Sequence, residues 1–217
     1  TIDNEELFLR HTYLDFFSRI LVLITLQREI PSSDKIKDVI SGEIFNEIGI
    51  PNLATESFFN WLEDSSVIND AVGILNGIAK RLGHSYNFYQ INEDLLKTLY
   101  QELVDPETRH DLGEFYTPDW LAERTYEEIN YPITDENGIP LNDEQNSLLD
   151  PACGSGTFLF TAVKALRENG LTGNKLIAFV QNHIAGIDIH PLAVTISKAN
   201  ILLALGDEIS NWGRSFH

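Results

Sequence analysis

Residues 150 to 158 read Asp-Pro-Ala-Cys-Gly-Ser-Gly-Thr-Phe, with Leu148-Leu149 before them and an apolar helical pattern after. That is the layout of a strand, a tight glycine loop and a helix N-terminus, where main-chain amides can approach a ligand closely. A second segment, Ile184-Ala185-Gly186-Ile187-Asp188-Ile189-His190-Pro191, reads as a buried strand ending in an acid, with Pro191 opening the next helix. An acid at the end of a second parallel strand can accept hydrogen bonds from both hydroxyls of a ribose. The alternative role for Asp188 is to cap the helix that starts at Pro191. The loop is not the dinucleotide fingerprint, because Leu159 stands where a third glycine belongs, and no Gly-Lys-Ser/Thr follows to make it a Walker loop. The chemistry left is that of another adenosine-type ligand.

Upstream lies Gly113-Glu114-Phe115-Tyr116-Thr117-Pro118, a turn whose Pro118 can open a helix running to about Asn130. In this order the three segments resemble the adenine-specific DNA methyltransferases, most nearly the modification subunits and fused enzymes of type I and type IIG restriction–modification systems. Tyr116-Thr117-Pro118 matches that family's motif X, Asp150 to Phe158 its motif I, and Gly186 to Pro191 its motif II. The lead-in Leu99-Tyr100-Gln101-Glu102-Leu103, with Arg109 and Leu112, is similar too, so the resemblance covers roughly 95 to 206.

The resemblance implies S-adenosylmethionine as cofactor. It implies a set of cofactor-binding residues comprising Tyr116, Thr117, Pro118, Asp150, Ala152, Gly154, Ser155, Gly156, Thr157, Phe158, Asp188 and Ile189. Chemistry alone offers plainer roles for several: Tyr116 as a half-buried packing residue, Ser155 as a helix N-cap, Ile189 as core. The family's catalytic Asn/Asp-Pro-Pro-Tyr/Phe tetrapeptide does not occur in the sequence, so no catalytic residue is assigned. The tetrapeptide, the remaining strands and the recognition domain are expected beyond His217, and the piece alone is expected to be inactive. Double-stranded DNA is the implied substrate, held through regions outside this piece, with a specificity or restriction subunit as the implied partner. Two other readings stay open: a non-catalytic cofactor- or partner-binding module, and a methyltransferase acting on RNA or protein. A nicotinamide oxidoreductase is disfavoured by Leu159.

The charge is the awkward fact for a DNA enzyme, and this piece alone is expected to bind DNA poorly. Of 217 residues, 33 are acidic and 15 basic, a formal charge of -18. Up to residue 110 there are nine basic and 18 acidic residues, and after it six and 15. Neither part offers the Lys/Arg surface that neutralises phosphates. One cysteine, Cys153, gives no disulfide framework and suits a reducing cytoplasm, where it is read as a small buried filler. There is no methionine and the chain begins at Thr1, so an excised piece or a processed product is expected. No signal peptide or membrane span is read, because Ile20 to Ile24 is too short an apolar run to cross a bilayer. His183 and His190 lack partners at metal-ligand spacing, so no metal is assigned.

The elements that must position these residues fall into two parts. Residues 1–110 read as a mainly α region, with helices over Asp15–Leu26, Lys35–Ile48, Glu56–Glu63, Val67–Leu82 and from Asn92 onward. The run Ile20 to Ile24 marks one buried face, and Phe58, Phe59, Trp61, Phe88 and Tyr89 are core or domain contacts rather than a base-stacking platform. Residues 131–147 are a surface loop with a small hairpin at Asn137-Gly138. From Leu148 the order is strand, helix (Thr157–Glu168), helix (Asn174–Asn182), strand, helix (Pro191–Leu205). Residues 111–217 are therefore expected to be the start of an α/β, Rossmann-like methyltransferase domain, truncated after two strands.

Overall fold

The computed structural model describes residues 4–54, 59–85, 95–104, 106–107, 117–210, 212 and 216. In chain order the helices before the glycine loop are α1 (Asn4–Gln27), α2 (Ser33–Ser41), α3 (Glu43–Glu47), α4 (Pro51–Ala54), α5 (Ile68–Ser85), α6 (Leu95–Leu103) and α7 (Asp119–Glu128). A 3-10 turn, Asn60–Glu63, lies between α4 and α5. Then follow β1 (Leu148–Asp150), α8 (Thr157–Glu168), α9 (Gly173–His183), β2 (Ile184–Gly186), α10 (Pro191–Leu205) and α11 (Asp207–Ser210). The two strands pair in parallel, Leu148 opposite Ile184 and Asp150 opposite Gly186.

The ladder outlasts the regular strands. Ile187 N–H donates to Asp150 O at 2.9 Å, and Cys153 N–H donates to Ile187 O at 2.9 Å. These bonds fasten the glycine loop to the segment carrying Asp188, and a parallel pair can be joined only by a crossover, supplied here by α8 and α9.

Helix α1 is longer than the apolar pattern indicates and is not one-faced. Its buried residues run His11, Thr12 and then Leu14 through Ile24 without a break, the signature of a helix enclosed on all sides. α10, α5, α2 and α6 surround it. The enclosure explains Asp15 and Arg19, an i,i+4 ion pair at 3.0 Å with side chains 0% and 3% exposed. The half-buried Lys198 of α10 adds a second cation that acts on this pair, its ammonium donating to Asn52 O at 2.9 Å. Burial first, and then the Arg19 guanidinium, favour a neutral Lys198, while Asp15 favours the cation. One apolar cluster runs from Leu14 and Phe16 of α1 to Leu202 and Leu205 of α10.

Other boundaries differ from the sequence reading for local reasons. The expected helix 35–48 is broken into α2 and α3 at Gly42, which adopts φ 79° as C-cap and donates its N–H to Val39 O. A Cβ there would lie 3.0 Å from the Ala54 backbone, so α4 packs against the break. Gly83 does not end α5, which continues to Ser85. The expected helix over Glu56–Glu63 is described only from residue 59, where a 3-10 turn stands instead. The start at Asn92, together with Phe58, Phe88, Tyr89, Arg109, Leu112 and the turn Gly113 to Tyr116, lies outside the described residues. The hairpin around Asn137-Gly138 forms as a single bridge, Thr134 to Pro140. No helix among the described residues is long and apolar enough to cross a membrane.

Candidate functional site

The loop after β1 is shaped by its own acid and by the acid after β2. Asp150 Oδ1 accepts from Ala152 N–H at 3.1 Å, which turns the chain out of the strand. Asp188 Oδ2 accepts from Gly154 N–H at 2.8 Å, across 34 residues of sequence. Its Oδ1 accepts from His190 N–H at 2.8 Å. The Asp188 carboxylate thus joins the loop to the start of α10. Each of its oxygens can accept a further hydrogen bond. Ligand-acceptor and turn-former are compatible roles for one carboxylate.

The two glycines have different reasons to be glycine. Gly154 (φ 53°) faces open space, with nothing within 4 Å of where a Cβ would sit. Gly156 (φ 86°) faces protein: a Cβ would lie 3.1 Å from Ser197 Cβ and 3.2 Å from its Cα. The positive φ alone accounts for Gly154, which borders open space, whereas close packing of the loop on α10 is a second reason for Gly156. Gly156 is also the N-cap of α8, and no side chain caps it. The N-cap role offered for Ser155 is thereby corrected. The first-turn amides of α8 have no acceptor within the helix, which gives that end its anion-accepting character.

Ser155 and Thr157 are 2% and 5% exposed, so their side chains pack within the protein. Asn200 Nδ2 donates to Ser155 O at 2.9 Å and seats the loop on α10. Phe158 is half-buried, its ring edge-on to Tyr126 of α7 at 6.0 Å. The Tyr126 hydroxyl donates to Phe158 O at 2.9 Å, and burial keeps that phenol protonated well above its usual range. Tyr131 packs on Tyr126 at 4.9 Å, and burial pushes its pKa up to about 12. Pro118 caps α7. Lys97 of α6 donates to Thr117 O at 3.3 Å and pairs with Asp119. Ala152 is exposed, and Ile189 is 100% exposed beside the half-buried Asp188. A bare isoleucine at that point is a free apolar surface and not core.

The structure thus brings Asp150, Ala152, Gly154, Gly156, Phe158, Asp188 and Ile189 to one rim at the ends of β1 and β2. Tyr116 lies outside the described residues. Cys153 is buried behind the loop, and burial raises its thiol pKa. Two supporting residues escaped the sequence reading, Ser197 and Asn200; Gly186, read there only as the start of motif II, has a packing role, its absent Cβ making room for Leu159 and Cys153. Ser197 and Asn200 are three apart and share one face of α10, but Thr195 and Lys198 of the same helix are polar too, so residue type did not single them out.

The chain belongs to the N-6 DNA methylase family, which it matches over residues 91–210. It is 26% identical to a Methanocaldococcus jannaschii protein described as a type II restriction enzyme and methyltransferase, over 82% of this chain and 19% of that one. It is 32% identical to the methylase subunit of a type I restriction enzyme of the same organism, over 42% of this chain and 13% of the subunit. A third relative is the methylase subunit of an Escherichia coli type I restriction enzyme, at 23% identity over 67% of this chain and 26% of the subunit. The chain therefore spans about a quarter or less of these relatives' lengths. No solved structure matches it.

Proposed function

We propose that this chain is the S-adenosylmethionine-binding part of a site-specific adenine DNA methyltransferase of a restriction–modification system. Its first 110 residues are a helical region. Residues 111–217 are the opening of a Rossmann-like cofactor domain. The observation that carries the reading is the Asp188 bridge to Gly154, with open space over Gly154 and the bare Ile189 side chain beside it.

The residues present fit this cofactor. Asp188 retains acceptor capacity for the ribose hydroxyls, Ile189 offers an apolar face to the adenine ring, and the Gly154 turn with the N-terminus of α8 receives the methionine carboxylate. Asp150, Ala152, Ser155, Gly156, Thr157 and Phe158 shape that loop, Thr117 and Pro118 lie at the start of α7, and Tyr116 joins the set through the resemblance to motif X. When bound, S-adenosylmethionine supplies an electrophilic methyl group, so the protein's contribution is largely positioning. Nothing in the sequence matches the Asn/Asp-Pro-Pro-Tyr/Phe tetrapeptide that would orient an adenine amine. The strongly negative charge leaves phosphate contacts to other parts of the enzyme or to a specificity subunit. Calorimetric titration with S-adenosylmethionine and with NAD tests the reading. Saturable binding of the first alone is expected, and binding of NAD alone, or of neither, overturns it.

A further inference from the structure

Two residues after Asp188, the chain reaches into the helical region. The His190 ring meets His11 of α1 edge-on, with centroids 5.2 Å apart and planes at 90°. His11 in turn stacks on Tyr100 of α6 at 5.9 Å and 28°, and the Tyr100 hydroxyl lies 3.5 Å from His11 Nε2. His11 and Tyr100 are interior groups, 7% and 1% exposed. Among the described residues His190 Nδ1 is buried without a hydrogen-bond partner, so packing is what holds this ring.

The backbone couples that ring to the carboxylate. His190 is the N-cap of α10, extended at φ -90° and ψ 116°, and a residue before proline has little freedom to leave that region. Its N–H is one of the two donors that hold the Asp188 carboxylate. A shift of the ring therefore shifts the turn 188–190, and with it the bridge to Gly154.

We propose that His11, backed by Tyr100, is a positioning residue for Asp188: its contact with His190 fixes the turn that aims the carboxylate at the glycine loop. The helical region is then part of the cofactor site's framework, and not only a neighbour of it. This deepens the cofactor reading and rests on it. His11 is uncharged at neutral pH, because burial first, and then His190, lower its pKa to about 4.

The test is hydrogen exchange of the Gly154 amide in the 217-residue chain, paired with S-adenosylmethionine calorimetry. His11→Ala is expected to speed Gly154 exchange and raise the dissociation constant by about three- to tenfold, the size of one aromatic pair. His11→Phe keeps a ring at that position and is expected to restore both. Leu75→Ala, a core change in α5, is expected to lower stability and leave both readouts near wild type. Should His11→Ala fail to fold, His11→Leu carries the same comparison. Unchanged Gly154 exchange in the folded His11 variant overturns the proposal, as does equal acceleration by Leu75→Ala or failure of His11→Phe to restore. A wild-type chain that binds no S-adenosylmethionine sinks the cofactor reading instead, and Gly154 exchange alone then decides whether His11 positions the turn.

Discussion

Substituting alanine at each loop glycine separates the two jobs this loop performs. Both glycines have positive φ, 53° at Gly154 and 86° at Gly156, so each substitution carries a backbone cost of about 1–2 kcal/mol. At Gly154 nothing else is added, because the Cβ enters open space. At Gly156 the Cβ overlaps Ser197 Oγ and comes within 3.1–3.2 Å of Ser197 Cβ and Cα, and forcing an extra methyl into packed structure adds about 1–3 kcal/mol. Gly154→Ala is therefore expected to cost about 1–2 kcal/mol of stability, and Gly156→Ala about 2–5 kcal/mol. Urea denaturation of the two variants measures the difference. A double-mutant cycle with Ser197→Gly isolates the contact: the coupling should be favourable for Gly156→Ala and absent for Gly154→Ala. Cofactor affinity should show the opposite order relative to stability, Gly154→Ala weakening binding more than its small stability cost suggests. Equal stability costs with no coupling to Ser197 would refute the assignment of Gly156 to packing.

Three further outcomes are expected. Asp15→Ala should destabilise the chain by about 3–5 kcal/mol in urea, because it leaves Arg19 buried without its partner, beside Lys198; a loss below about 1 kcal/mol contradicts this. Stability should fall as pH drops from 6.5 toward 4, where the unfolded chain gains a proton on His11 and the folded chain, with His11 at about 4 against His190 and Tyr100, does not. The His11 share is about 2.5 kcal/mol at pH 4.5, and His11→Phe should remove that part of the slope between urea midpoints. Gel-shift titration with duplex DNA at physiological salt should show no submicromolar binding, given the charge of -18; tight binding would reveal a basic face.

The local chemistry of the site could be read from sequence because it is nearly all short-range. Asp150, the two glycines and the start of α8 lie within eight residues, and Pro191 marks the next helix start by its fixed φ. The same holds for the crossover order, from alternating apolar runs and turn formers. What could not be read is long-range. The enclosure of α1 depends on α10 arriving from nearly 180 residues away, and periodicity cannot distinguish a helix buried on one side from one buried on all sides when both carry apolar runs. The break at Gly42 depends on α4 packing against it. The reason for Gly156 depends on Ser197, and the partners of His11 lie on α6 and at the N-cap of α10. Residue types alone announced none of these.

The most direct test of the cofactor assignment is the S-adenosylmethionine affinity of Asp188→Ala against wild type, by calorimetry, with urea midpoints taken in parallel to show that the variant is folded. Loss of a charge-assisted acceptor for the ribose hydroxyls is expected to weaken binding by about tenfold to a hundredfold, equivalent to about 1.5–3 kcal/mol. Unchanged affinity in a folded Asp188→Ala chain would contradict the assignment and leave Asp188 only the role of fastening Gly154 and His190.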